Sequence, residues 1–193
     1  MNMAAAKAEG CMVAVVGPSG AGKDTLMAIA AKALAGRDDV TFVRRVITRD
    51  AAAGGEDHHG VSDAEFDVLE KSGGFAVSWD AHGLRYGIPA DTKERVAAGH
   101  LVIANGSRSA LSHFKAAYPR LVVVNITARL EVLAARLEAR GRENREDILR
   151  RLERSSLPVG DDFEVVTIDN SGTLEDSGRV LIEALQGLRT TIR

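Results

Sequence analysis

The stretch Gly17-Pro18-Ser19-Gly20-Ala21-Gly22-Lys23-Asp24, set directly after the apolar run Met12 to Val16, has the glycine and lysine spacing of a phosphate-cradling P-loop. Glycines let the backbone curl until successive N–H groups face inward, and the helix that follows adds its positive end. Lys23 can then reach the outer phosphates of a nucleoside triphosphate. On this reading Gly17, Pro18, Ser19, Gly20, Ala21, Gly22, Lys23, Asp24 and Thr25 form the nucleotide cradle. Asp24 is the one departure, since the pattern expects a Ser or Thr hydroxyl on the metal there. A carboxylate is a stronger ligand for a hard cation but brings negative charge toward the triphosphate. Mg²⁺ is therefore expected to be obligatory, with Asp24 as its ligand. Thr25 points about 100° away from Asp24 on a helix and cannot replace it without a local shift.

Outward from the loop, aliphatic runs alternate with helical patterns. The strand candidates are Met12 to Val16, Val40 to Ile47, Leu101 to Asn105, Leu121 to Thr127 and Glu164 to Asp169. Several are almost continuously apolar, as strands buried on both faces must be. Helical patterns cover Lys23 to Ala35, Ser107 to Tyr118, Arg129 to Arg140, Glu146 to Ser155 and Thr173 to Leu188. The expected fold class is α/β: a three-layer P-loop domain with a parallel central sheet. Between Thr48 and Gly99 the pattern changes to an inserted flap. It has a short helix opened by Ser62 and Glu65 in capping-box spacing, then strand-like Phe75 to Trp79 and Leu84 to Tyr86.

At 193 residues, 45% hydrophobic and 27% charged, the chain suits one compact domain. Its core is expected at 10–47 and 100–193, the flap at 48–99 and a lid near 138–148. A net charge of −2 gives no bulk reason to bind nucleic acid or a membrane surface, so any anion site must be a local cluster of Lys and Arg. The single cysteine, Cys11, excludes an internal disulfide and a thiolate metal cluster. No apolar run reaches membrane-spanning length, and a soluble cytoplasmic protein is expected.

Two basic clusters stand out. Arg136, Arg140, Arg142, Arg145, Arg150 and Arg151 surround Gly141 between two helical patterns, as a closing lid requires, although neighbouring glutamates can neutralise about half of them. Arg136, Arg140 and Arg151 are the candidates to hold charge on a transferring phosphoryl group. Arg44, Arg45, Thr48, Arg49, Glu56, His58, His59, Arg85 and Tyr86 would suit a small acceptor with more than one phosphate, or simply a solvated flap surface. His58 and His59 point apart in an extended segment, which disfavours a two-histidine metal site. Trp79 is expected in the core.

In order after the P-loop, Thr48-Arg49, Gly55-Glu56, Glu65-Phe66, Gly74-Phe75, Trp79, Tyr86-Gly87 and Arg140-Gly141 resemble the guanylate kinase fold over almost the whole chain. The guanine-reading positions of that family do not match. Ala51 to Ala53 replace its second arginine, His58 its flap tyrosine and Ser78 its base-binding glutamate. With Arg44 to Arg49, Gly54-Gly55-Glu56, Ala81 to Pro89, Asn105-Gly106-Ser107-Arg108 and Ile168 to Gly172, the pattern resembles the ribose 1,5-bisphosphate phosphokinases of phosphonate catabolism. That resemblance implies ATP and ribose 1,5-bisphosphate as substrates, with ADP and 5-phosphoribosyl 1-diphosphate as products. It implies acceptor contacts at Arg45, Thr48, Arg49, Glu56, His58, Arg85, Tyr86, Asn105 and Arg108, catalysis by Lys23 and the lid arginines, and adenine near Asp169 to Gly172. A nucleoside monophosphate kinase and a non-catalytic guanylate-kinase-like module stay open, as does the assembly, a homodimer among the options. The strand Leu101 to Ala104 ends in Asn105 where many P-loop enzymes place a metal-binding acid, which again directs the metal to Asp24.

Overall fold

The computed structural model describes residues 10–50, 56–139, 152 and 159–190. Five parallel strands form the main sheet: β1 (Cys11–Val16), β2 (Val40–Phe42), β7 (Leu101–Asn105), β8 (Leu121–Thr127) and β9 (Glu164–Asp169), in the order β2-β7-β1-β8-β9. Parallel neighbours need crossovers, and helices supply them. These include α1 (Lys23–Ala33), α4 (Leu111–Ala117) behind a 3-10 turn Arg108–Ala110, and α5 (Leu130–Ala139), while α6 (Leu174–Thr190) follows β9 and packs beside α1.

Strand β1 is the middle of three layers, and its pleat shows why. Cys11, Val13 and Val15 face one core with Leu26, Ala30, Leu133, Leu137, Leu181 and Leu185, while Met12, Ala14 and Val16 face the other with Trp79, Phe114 and Tyr118. A strand buried on both faces has no place for polar side chains, hence its unbroken apolar composition. Leu152 packs into the first core. Cys11 is buried there, and burial pushes its thiol up to about 11, so it is an inert core group.

A second, four-stranded sheet, β4-β3-β6-β5, forms the flap. It contains β3 (Val46–Ile47), β4 (His59–Gly60), β5 (Phe75–Ala81) and β6 (Leu84–Pro89). Strands β5 and β6 are a hairpin whose two-residue turn, His82-Gly83, has φ 54° and 74°. Such left-handed pairs match the twist of the flanking strands. Helix α2 (Asp63–Lys71) opens with the expected capping box, in which Glu65 accepts from Ser62 N at 2.7 Å and Ser62 Oγ accepts from Glu65 N at 3.3 Å. These bonds hold the Glu65 carboxyl below its ordinary range. Helix α3 (Asp91–Ala97) returns the chain to β7.

One strand expectation is corrected. Val40 to Ile47 is not continuous: β2 lies in the main sheet and β3 in the flap, and the chain crosses between them at Val43 to Arg45. Arg44 and Arg45 break the aliphatic run, and their side chains turn to flap carboxylates. The flap sheet thus begins at Val46, two residues before the expected boundary. The expected helix at Glu146 to Ser155, apart from Leu152, and the expected lid beyond Ala139, where α5 ends, lie outside the described residues. Helix α3 and the short β4 were not foreseen, being too brief to leave a period. No helix among the described residues is long and apolar enough to cross a membrane.

Candidate active site

The loop between β1 and α1 has the backbone its glycines permit. Gly17, Gly20 and Gly22 lie at φ 151°, 85° and 86°, a region that side chains strain to adopt. Space is closed as well as angle: a Cβ on Gly17 would lie 2.2 Å from Ile126 O, and one on Gly22 would lie 2.6 Å from Asn170 Nδ2. Gly22 caps α1 with no side-chain bond, leaving first-turn N–H groups for an anion. Ser19 and Thr25 are exposed and Pro18 half-buried at the rim. Pro18 O accepts from Ala21 N at 3.2 Å and closes the turn.

Lys23 folds back onto the loop, donating from Nζ to Gly17 O at 2.8 Å and Pro18 O at 3.3 Å. Burial pulls its amine down to about 8. Asp24 and Glu56 push it back up, while Arg45 and Arg108 push it further down. Loop and flap residues therefore act on one ammonium group.

Asn105, at the end of β7 and 6% exposed, joins the two sides. Its Nδ2 donates to Asp24 Oδ1 and to Glu56 Oε2, both at 2.7 Å. Glu56 in turn accepts from Arg45 through Nε at 2.9 Å and through Nη2. Arg45, only 8% exposed, lies over the stacked rings of Tyr86 and Trp79, 4.9 and 5.6 Å from their centroids. The pair is thus fixed by charge and by two aromatic faces. Trp79 is in the core as expected. Arg108 reaches Asn125 Oδ1 at 3.4 Å, and burial lowers its pKa.

Lys23, Asp24, Glu56, Arg45, Tyr86, Asn105 and Arg108 therefore converge. The remaining expected acceptor residues have other surroundings. His58 is 1% exposed, with Nδ1 3.0 Å from Glu56 O and Nε2 3.4 Å from Arg49 O, so the ring fastens the segment that carries Glu56. Arg49 Nη2 lies 3.4 Å from His58 Nδ1. Thr48 is tied to the Arg85 backbone, its Oγ1 accepting from Arg85 N at 2.9 Å and its own N donating to Arg85 O at 3.1 Å. The Arg85 guanidinium is drawn to α2 instead, against Asp67 at 2.5 Å and Glu70 at 2.8 Å and over the Phe66 ring. Two carboxylates already share this guanidinium, so the expected acceptor contact at Arg85 gains no support from its partners. Ser78 is likewise bonded to Glu70, at 2.6 Å.

Arg136 sits behind the P-loop, donating to Gly20 O at 3.4 Å and Asn170 O at 2.9 Å. Arg140 and Arg151 lie outside the described residues. The Glu70 and Asp67 partners of Arg85 were not foreseen as site-shaping residues. The fully buried Asn170 was expected only within the Asp169 to Gly172 loop near adenine, not as a partner of the P-loop.

The donor chemistry fits a hard cation. Asp24 and Glu56 offer carboxylate oxygens, and the buried Asn105 Oδ1 has no hydrogen-bond partner among the described residues. Mg²⁺ is commonly held by one or two carboxylates together with phosphates and water.

A family model described as an AAA domain matches residues 13–156. The chain is 63% identical to the ribose 1,5-bisphosphate phosphokinase PhnN of Agrobacterium fabrum over 91% of its own length and 96% of that protein's. It is 59% identical to the protein of that name from Rhizobium etli, over 93% and 91% of the two chains. Among solved structures it is similar to a guanylate kinase from Anaplasma phagocytophilum, with a TM-score of 0.67 at 18% identity, covering 95% of this chain and 88% of that one. This last similarity concerns the fold alone.

Proposed function

The chain belongs to the ribose 1,5-bisphosphate phosphokinase family, and on that premise we propose that its site transfers the γ-phosphoryl group of ATP to the 1-phosphate of ribose 1,5-bisphosphate. The products are ADP and 5-phosphoribosyl 1-diphosphate. The observation that carries this reading is 63% identity along almost the full length of both chains.

The residues make chemical sense of it. The attacking atom is a phosphate oxygen, ionised at neutral pH, so no general base is needed. It forms a bond to the γ-phosphorus as the bond to the β,γ-bridging oxygen breaks, and ADP carries away the electron pair. Catalysis then rests on alignment and charge. Lys23 leaves the loop carbonyls for the β- and γ-phosphates. Arg45 and Arg108 face it from the acceptor side, and Arg140 and Arg151 are proposed to complete the clamp from a lid. Glu56 and His58 fix Arg45 and the acceptor segment, with Thr48, Arg49, Tyr86 and Asn105 lining the same side. Asp24, with Asn105 and Glu56 beside it, is the proposed Mg²⁺ ligand; a bound ion would supply positive charge that screens the phosphates. We assign 48–99 to acceptor binding and the remainder to the nucleotide core, in one domain working on small cytoplasmic metabolites.

The test is ADP release with ribose 1,5-bisphosphate, GMP, AMP and ribose 5-phosphate as parallel acceptors. The bisphosphate should give the highest kcat/KM by at least about tenfold, a difference of about 1.4 kcal/mol in transition-state binding. Faster turnover with GMP would return the chain to the nucleotide kinases.

A further inference from the structure

We infer that Asn170 is a positioning residue for ATP: together with Arg136 it braces the P-loop from behind and fixes the direction of the Gly22 N–H. Asn170 follows β9, is 0% exposed, and bonds to the neighbouring loops through its backbone N and O and its side-chain Nδ2, while its Oδ1 has no partner among the described residues. Its backbone N donates to Thr127 O at 2.7 Å. Its side-chain Nδ2 donates to Ala21 O at 2.7 Å, and its backbone O accepts from Arg136 Nη2 at 2.9 Å. Arg136 continues to Gly20 O at 3.4 Å. Two consecutive P-loop carbonyls are thus drawn backward by two residues joined through the Asn170 backbone oxygen.

Peptide geometry turns this into a statement about the ligand. In a trans peptide the C=O and N–H point to opposite sides. The Ala21 carbonyl and the Gly22 N–H belong to one unit, so holding Ala21 O from behind turns the Gly22 N–H forward into the cradle. The Ala21 N–H in the preceding unit is already committed to Pro18 O. Gly22 is therefore a donor whose aim depends on Asn170. The fit is close, since a Cβ on Gly22 would lie 2.6 Å from Asn170 Nδ2 and 3.9 Å from Arg136 Nη1. Preorganised N–H donors bind phosphate without reorganisation, and a loop free to rotate this peptide loses that advantage.

The inference rests on the reading that this loop holds the triphosphate of ATP. Calorimetry with Mg²⁺ and the non-hydrolysable β,γ-imido analogue of ATP tests both separately, with ribose 1,5-bisphosphate titrated in parallel. In Asn170→Ala and Asn170→Asp the analogue Kd should rise about tenfold, the usual worth of one committed hydrogen bond, while the acceptor Kd moves less than about twofold. Asn170→Ser, with a shorter donor, should fall between and remains informative if the other variants fold poorly. Thr173→Ala is the control: its hydroxyl accepts from Asp176 N at 3.2 Å at the start of α6 without touching the P-loop. It should leave both constants unchanged. Equal analogue affinity in wild type and Asn170→Ala, or parallel weakening of both ligands in step with a fall in Tm, would overturn the inference. A wild-type protein that binds no analogue would instead sink the reading of the loop.

Discussion

On the proposed reading, the nucleotide loop and the acceptor flap hold anions by different means. On the nucleotide side the grip is backbone: glycine dihedrals, the first turn of α1 and carbonyls tied down by Lys23, Asn170 and Arg136. On the flap side it is a side chain already engaged with a carboxylate, Arg45 with Glu56. A backbone cradle is ready for its ligand. Paired guanidiniums must share or exchange a partner when a phosphate arrives, which gives the flap selectivity at some cost in affinity. Asn105 is the contact between the two systems, holding one carboxylate from each.

The contrast can be broken most severely at Lys23. Lys23→Met should lower kcat about 10²–10³-fold, the usual loss of one transition-state donor. Its Tm should not fall, because the buried amine is already pulled down to about 8. Steady-state ADP release and a melting curve check both, and an unchanged kcat would remove the nucleotide side of the account.

Glu56→Gln probes the flap. The Arg45–Glu56 side chains are 10% and 14% exposed. Neutralising one partner should cost about 2–3 kcal/mol in a denaturant melt, below the full loss of a buried pair because an amide oxygen still accepts. The acceptor KM should rise about tenfold, with the ATP KM changing less than about threefold, since each tenfold is about 1.4 kcal/mol. Equal changes in both would mean that the two sides are not energetically distinct.

Acidity separates them a third way. Lys23 must be charged to hold a phosphate, so ATP affinity should weaken by up to about tenfold per unit as pH rises above about 8, while acceptor affinity changes less. The sign for folding is opposite. The folded-state value lies below the unfolded one, 10.5, so the unfolded chain carries more protons between about 8 and 10.5. This group's contribution to stability is lowest below about 8 and rises across that window. Lys23→Met, titrated in parallel, should lack both trends.

The smallest effect is expected at Arg85, where Arg85→Gln should lower the Tm only slightly, since its carboxylate partners are part-exposed and its other contact is the Phe66 ring. The acceptor KM should move less than about threefold, within about 0.7 kcal/mol. A tenfold rise would restore Arg85 to the acceptor site.

The same contrast explains what could be read from the sequence. The P-loop and parallel sheet were legible because backbone geometry and double-sided burial dictate residue type: glycine at positive φ, and aliphatics along β1, β7 and β8. Flap roles were less so. Arg45 and Arg85 are the same residue type beside the same kinds of neighbour, and only the three-dimensional position of Glu56, Asp67 and Glu70 sends one toward Lys23 and the other toward α2. Asp24 and Asn105 were both singled out as metal-side residues, yet their direct bond through one amide spans 81 positions of sequence. The division of Val40 to Ile47 between two sheets was hidden for a related reason, because Arg44 and Arg45 resemble strand residues until their partners are known.

The most direct trial of the central claim, a phosphoryl group passing from the braced loop to a phosphate on the flap side, is ³¹P NMR of the protein with Mg²⁺, ATP and ribose 1,5-bisphosphate. The account predicts that the 1-phosphate resonance disappears as two coupled diphosphate resonances and ADP grow in equal amounts. ADP accompanied by inorganic phosphate, with the sugar 1-phosphate unchanged, would contradict it.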